Sequence, residues 1–309
     1  MTSSTFFSAL VEIVGKGYVF DKKSDKSKYL TDWPNKITGK ARAVVFPANT
    51  EDVSKIMRLC FDNGVPVIPQ GGNTGLSGAA TPDLSGRAII LSLARLNTIF
   101  EVNGFSQTMM VGAGCILADI HQAAEANDLF FPLHLGAQGS CEIGGNLATN
   151  AGGINVLRYG NARELCLGIE VVLPDGRIMD LLSALRKDNT GYDLRDLFIG
   201  SEGTLGIITA AMLKLFPLPK ARASAFVAVP NIDKALMLLN HIQSETGGAV
   251  EAFELVPRIM MQLLAKHLPN LKQPFADPPV MSVLIELAAS SGHCHVWTAP
   301  FLQDKNELR

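Results

Sequence analysis

The sequence predicts an α+β protein, and three observations carry that expectation. Short strands and helices alternate along the chain, two glycine-rich segments interrupt its first half, and a β-α-β-α-β succession follows the prolines Pro217 and Pro219. With 309 residues, 47% of them hydrophobic and 18% charged, the chain can bury substantial cores in two domains of ordinary size. A disordered tail, a coiled coil and a disulfide mini-protein are excluded.

The elements follow in order. Phe6, Phe7, Leu10, Val11 and Val14 mark one face of an amphipathic helix that Gly15 ends. After the lysine-rich stretch Asp21 to Thr31, Ala43 to Phe46 reads as a strand. Asn49-Thr50 caps a helix with apolar positions Val53, Ile56, Met57 and Cys60, and Gly64 stops it. Val65 to Pro69 is a second strand that runs directly into glycine. Further strands are expected at Ala88 to Leu93 and Thr108 to Val111, a helix at Ile116 to Asn127, and a hairpin around Pro174-Asp175-Gly176. An alternating strand, Ile207 to Phe216, precedes the two prolines, where a domain boundary is expected. Beyond them come strands at Ala225 to Val229, Ala249 to Leu255 and Met281 to Leu287, with helices at Ile232 to Glu245 and Arg258 to His267 between them. Ser290 to Arg309 has no clear period and reads as loop.

Lys plus Arg is 27 against 29 Asp plus Glu, so the net charge of −2 provides no field for nucleic acid or an anionic membrane. No apolar stretch approaches the ~20 residues of a spanning helix, so no transmembrane segment is expected. The five cysteines form no CxxC pair, which fits a reducing compartment and argues against a thiolate zinc site. Met1 to Gly15 lacks the basic region of a signal peptide and the arginines of a transit peptide, so the expected location is the cytoplasm.

Two segments concentrate glycine beside hydroxyl and amide side chains. The first is Pro69-Gln70-Gly71-Gly72-Asn73-Thr74-Gly75-Leu76-Ser77-Gly78. Successive glycines permit positive φ and let backbone N–H groups converge on an anion, and Thr74 and Ser77 add donors, so a pyrophosphate suits it. The second runs from Gly136 through Gly139-Ser140 and Ile143-Gly144-Gly145-Asn146 to Gly153. Its small residues would let backbone lie flat against a planar ring such as a flavin. Either segment alone could be a tight turn. Neither is a P-loop, because no Lys lies between Gly72 and Gly78. Gly112-Ala113-Gly114-Cys115-Ile116-Leu117 reads as a strand-to-helix turn, because Leu117 is too bulky for a dinucleotide fingerprint.

Three stretches, PQGGNTGLSG from Pro69, GSCEIGGNLATNAGG from Gly139 and RKDNTGYDLRDLFIGSEGTLGIIT from Arg186, resemble the D-2-hydroxyacid dehydrogenases among the vanillyl-alcohol-oxidase-type flavoproteins. The resemblance runs from about Ile37 to Leu287. It implies an N-terminal helical segment over 1–36, a two-subdomain FAD-binding domain over 37–218, and an incomplete α+β substrate cap over 219–309. Pro69, Gln70, Gly71, Gly72, Asn73, Thr74 and Gly75 would wrap the FAD pyrophosphate. Gly139, Ser140, Gly144, Gly145, Asn146, Thr149, Asn150 and Gly153 would line the flavin side, and Glu202, Gly206 and Ile207 would close over the cofactor. Many relatives bind FAD covalently through a His in the pyrophosphate loop. Here no His lies between Ile68 and Gly78, so non-covalent FAD is expected.

The implied reaction is oxidation of a D-2-hydroxy acid by hydride transfer to flavin, with D-2-hydroxyglutarate preferred and D-lactate or glycolate as alternatives. A quinone or an electron-transfer flavoprotein would take the electrons, and a homodimer is possible. The family's HxGDGN-type metal motif is missing, so zinc is expected only in a full-length relative, and no catalytic residue or metal ligand is assigned. His293-Cys294-His295 is expected to be exposed loop rather than a metal site. On this reading the chain is a truncated or frame-shifted product, and the alternative to an enzyme is a catalytically silent FAD-binding remnant.

Overall fold

The computed structural model describes residues 3–289, which form two compact units. The first contains the residues up to Phe131 together with Leu135–Ala151 and Asn161–Phe216. The second contains Pro132–His134, Gly152–Gly160 and the chain from Pro217 onward.

The first unit has two sheets. In one, the strands Val19–Phe20, Val44–Val45, Ile89–Ser92 and Val67–Gln70 lie in that order. The last three are parallel and the first is antiparallel to its neighbour. Parallel neighbours need a crossover, and the helix Thr50–Asp62 supplies it between Val44–Val45 and Val67–Gln70. Asn49 caps this helix by accepting from the Asp52 N–H at 2.8 Å, and its face of Val53, Ile56, Met57 and Cys60 is buried. The helix Ser3–Val14 adds Phe6, Leu10 and Val14 to the same core.

The other sheet is antiparallel, in the order Ile99–Asn103, Thr108–Gly112, Ile207–Lys214, Cys166–Val172, Ile178–Leu181. Its middle strand is buried along nearly its whole length. Thr50 and Thr209 both donate their hydroxyls to Glu170 Oε1, and Ser54 donates to the Gly176 carbonyl, so polar side chains join the crossover helix to this sheet. Gly112-Ala113-Gly114 forms the turn from Thr108–Gly112 into the helix Leu117–Glu125. A Cβ at Gly112 or Gly114 would fall on the Leu96 or Leu93 carbonyl, which explains both glycines without a ligand.

In the second unit the strands Ala221–Val229 and Val250–Pro257 flank Met281–Ala289, each antiparallel to it. The helix Ile232–Thr246, capped by Asn231 and ended by Gly247 in the left-handed region, covers the sheet with Ala235, Leu238 and Ile242. The first strand begins four residues before the sequence suggests, because Ala221–Ser224 are small or polar and show no hydrophobic period. The segment Gly152–Gly160 is held by a partly buried network around the buried Glu251. Tyr159 donates to Glu251 Oε1 at 2.9 Å, Arg222 binds Glu251 Oε2 at 2.9 Å, and Arg158 donates to the Ala288 carbonyl at 2.6 Å.

Leu10 is fully buried in the first unit. Leu10→Ala is expected to destabilise that unit by about 2–5 kcal/mol, read as a lowered urea midpoint. An unchanged midpoint would show that the N-terminal helix contributes nothing to the core.

Candidate functional site

The strand Val67–Gln70 ends where the first glycine segment begins, and the helix Ile143–Ala148 lies in the second. A cleft opens in the first unit between these pieces. Pro69, Gln70, Gly71, Gly144, Gly145, Thr149, Glu202, Gly206 and Ile207 line it, joined by Ala79, Ala80, Leu93, Ala148, Phe198, Gly203 and Ile208. Half of the residues expected at a cofactor therefore meet on one surface.

The remainder sit around that surface or away from it. Gly72 is wedged so closely against Ser140 that a Cβ would collide with the Ser140 carbonyl. Close approach, not positive φ, accounts for Gly72; of the loop glycines Gly78 adopts positive φ, at 76°. The same conformation recurs at Asn73, with φ 52°, which donates its side-chain N–H to the Thr31 carbonyl at 2.9 Å. Thr74 is half-buried, while Gly75 and Gly139 face open space. Ser140 is exposed, and Asn146 is buried in the short helix. Asn150, with φ 46°, accepts from the Arg163 backbone N–H at 3.0 Å. Gly153 belongs to the second unit, where its φ of 116° and the neighbouring His134 carbonyl exclude a side chain.

The third motif is clipped onto the second by backbone. Gly200 donates its N–H to the Leu147 carbonyl at 3.0 Å and Glu202 to the Ala148 carbonyl at 2.8 Å. Glu202 does so at φ 53°, a conformation that a Glu adopts only under constraint. Gly203 passes over Pro69 and Gly206 over Val171, each too closely for a Cβ. Arg163 secures the approach by donating to the Asp196 and Ile199 carbonyls, both at 2.8 Å.

Three buried side-chain oxygens here have no hydrogen-bond partner: Gln70 Oε1, Glu142 Oε2 and Asn146 Oδ1. Gln70 spends its N–H groups on the Tyr29 and Ala80 carbonyls, which fixes its orientation. Such orphans are costly, and as acceptors they call for a ligand that offers hydroxyl or N–H donors. A dinucleotide fits that donor set and the glycine-lined walls. Glu142 was not singled out by sequence. Burial pushes its carboxyl up to about 8. Its only signal in the sequence is an acidic residue placed between Cys141 and Ile143, in otherwise uncharged surroundings.

Among the described residues no group of three or more His, Cys, Asp or Glu is arranged to hold a metal, and no helix is long and apolar enough to cross a membrane. His293-Cys294-His295 lies outside the described residues.

The fold is shared with solved enzymes. An alkyldihydroxyacetonephosphate synthase superposes with a TM-score of 0.78 at 20% identity, covering 94% of this chain and 56% of that one. p-Cresol methylhydroxylase with substrate bound gives 0.74 at 16%, covering 95% and 62%. Residues 41–182 match the FAD binding domain family. Over residues 41–182 the chain is thus similar in sequence to an FAD binding domain, on a fold shared with these structures. Over most of its own length it is similar to D-2-hydroxyglutarate dehydrogenases. It is 41% identical over 286 residues to the mitochondrial D-2-hydroxyglutarate dehydrogenase of Rattus norvegicus, covering 92% of this chain and 53% of that one. It is 39% identical over 279 residues to a D-2-hydroxyglutarate–pyruvate transhydrogenase of Saccharomyces cerevisiae, covering 90% and 56%. The chain therefore spans about half the length of these relatives.

The cytoplasmic expectation is corrected by these comparisons, since the Rattus norvegicus, Bos taurus, Danio rerio and Arabidopsis thaliana relatives are all named mitochondrial. The composition of the N-terminal residues reflects packing instead, because Phe6, Leu10 and Val14 are core positions.

Two outcomes test the site's physics. Gly72→Ala should destabilise the protein even without FAD, whereas Gly75→Ala, with nothing within 4 Å, should not, as read by thermal melting. Equal melting of the two variants would contradict the close approach at Gly72. Glu142 retains a proton in the folded state between about pH 5 and 8 that the unfolded chain loses. Stability of the FAD-free protein relative to Glu142→Gln should therefore fall as pH rises through that window, by up to about 1.4 kcal/mol per pH unit. A constant difference would show that Glu142 ionises normally.

Proposed function

We propose that this chain binds FAD non-covalently in the cleft of its first unit and serves the oxidation of a D-2-hydroxy acid, with D-2-hydroxyglutarate preferred. The observation that carries the proposal is the meeting of the three glycine-bearing segments on one cleft with orphaned polar atoms, in a chain 41% identical to a D-2-hydroxyglutarate dehydrogenase. The residues that would hold the cofactor are Pro69 to Gly75 on the pyrophosphate, Gly139, Ser140, Gly144, Gly145, Asn146, Thr149, Asn150 and Gly153 towards the flavin, and Glu202, Gly206 and Ile207 over it. The domain limits of 37–218 for cofactor binding and 219–309 for a substrate cap belong to the same reading.

When bound, FAD supplies a two-electron acceptor for the α-hydrogen of the hydroxy acid. The chain's own contribution is positional. The backbone clips from Gly200 and Glu202 fix the third motif, and the apolar wall of Leu93, Phe198, Ile207 and Ile208 keeps water from the cofactor's face. Electrons would pass to a quinone or an electron-transfer flavoprotein, and the protein would act as a homodimer. Lactate and glycolate are the alternative substrates, and a silent FAD-binding protein is the alternative to an enzyme. No residue between 3 and 289 is assigned as the base that takes the hydroxyl proton.

Acid precipitation of the purified protein should release all FAD into the supernatant, because the pyrophosphate loop offers backbone donors and no histidine nucleophile. Yellow colour that stays with the precipitate would show a covalent link. For the substrate, the chain joined to the C-terminal half of the Rattus norvegicus relative should bleach its flavin anaerobically with D-2-hydroxyglutarate faster than with D-lactate or glycolate. The reverse order would move the assignment to those acids.

A further inference from the structure

Glu142 lies beside Gly71, behind the residues that line the cleft, and one of its carboxyl oxygens has no hydrogen-bond partner. Its residue is 7% exposed, and Oε2 has no partner. The carboxyl lies against Gly71, 3.4 Å from the point that a Cβ there would occupy, and the Gly145 amide nitrogen is 3.7 Å from the same point. Gly71 and Gly145 both line the cleft. A side chain at position 71 would therefore fill the space that the carboxyl and the amide share.

We infer that Glu142 is a cofactor-binding residue whose protonated carboxyl donates a hydrogen bond to a pyrophosphate oxygen of FAD seated against Gly71. The inference rests on the FAD reading of the cleft and adds to it a residue outside the glycine positions. An ionised carboxylate could only repel a phosphoryl oxygen at that place, whereas a neutral carboxyl supplies the donor that such an oxygen accepts.

The surroundings favour the neutral form. Ile116 faces Glu142 through an isolated antiparallel bridge, and the Ile143 N–H is held by the Cys115 carbonyl. The titratable groups packed nearby are the thiols of Cys115 and Cys141, both neutral because burial pushes them up, Cys115 to about 11. Asp119 lies beyond, acting on Cys115. None of these is a cation that would hold the carboxylate ionised, and burial alone pushes Glu142 up to about 8. An adjacent pyrophosphate raises it further, so the bound state holds a proton that the free protein loses above pH 8. The sign follows: affinity for FAD is highest below pH 8 and declines above it.

The test is a titration of FAD-depleted protein with FAD between pH 6.5 and 9, read by quenching of flavin fluorescence. The wild-type Kd should rise about tenfold from pH 7 to pH 9. Glu142→Gln keeps a donor without titrating, so its Kd should stay near the wild-type pH 7 value throughout. Glu142→Ala should bind more weakly and without pH dependence. A flat wild-type profile, an affinity that rises with pH, or a Glu142→Gln profile with the wild-type slope would overturn the inference. The wild-type profile decides even if a variant does not fold. A wild-type protein that binds no FAD at any pH would overturn the FAD reading itself, and this inference with it.

Discussion

The site depends on glycines that approach their neighbours too closely for a side chain. Gly72 lies on the Ser140 carbonyl, Gly144 on Ala113, and Gly203 on Pro69, and each contact leaves no room for a Cβ. These three approaches bring the end of the strand Val67–Gln70, the helix Ile143–Ala148 and the turn before Ile207–Lys214 to one place. Interiors are too densely packed to absorb an added methyl group at such points, so the glycines fix the geometry that the cleft requires. Positive φ matters less in the first loop than close approach does. Gly203 takes positive φ at the cleft, and among the non-glycine residues that do so Asn73 and Glu202 are each held by a hydrogen bond to neighbouring backbone.

Much of the fold is legible from periodicity because its elements are local. The capped helix Thr50–Asp62, the hairpin around Asp175 and the succession after Pro217 all follow from caps, turns and alternation within a few residues. What periodicity does not show is which distant strands pair. Ile207–Lys214 sits between Thr108–Gly112 and Cys166–Val172, and Met281–Ala289 sits between two strands that precede it. Nor does a local signal assign Gly152–Gly160 to the second unit. That assignment comes from Tyr159 and Arg158, whose partners Glu251 and Ala288 lie about a hundred residues on.

The candidate site was partly legible for the same reason. Glycine clusters are visible in a sequence, and nine of the eighteen positions that they and the third motif suggested line the cleft. Glu142 is invisible to such reasoning, since a lone carboxylate in sequence reads as surface. Only burial and the missing partner distinguish it. Buried Glu251 presents the contrasting case, with Arg222 at 2.9 Å and Tyr159 at 2.9 Å satisfying both oxygens. A partnered carboxylate serves the fold. An orphaned one beside an open cleft points to a ligand.

The central claim is that one cleft, made by three segments far apart in sequence, receives FAD. Hydrogen exchange of the backbone amides with and without FAD tests it most directly. The account predicts added protection concentrated at 69–75, 139–150 and 200–207, with the two sheets largely unchanged. Protection elsewhere, or none at saturating FAD, would contradict it.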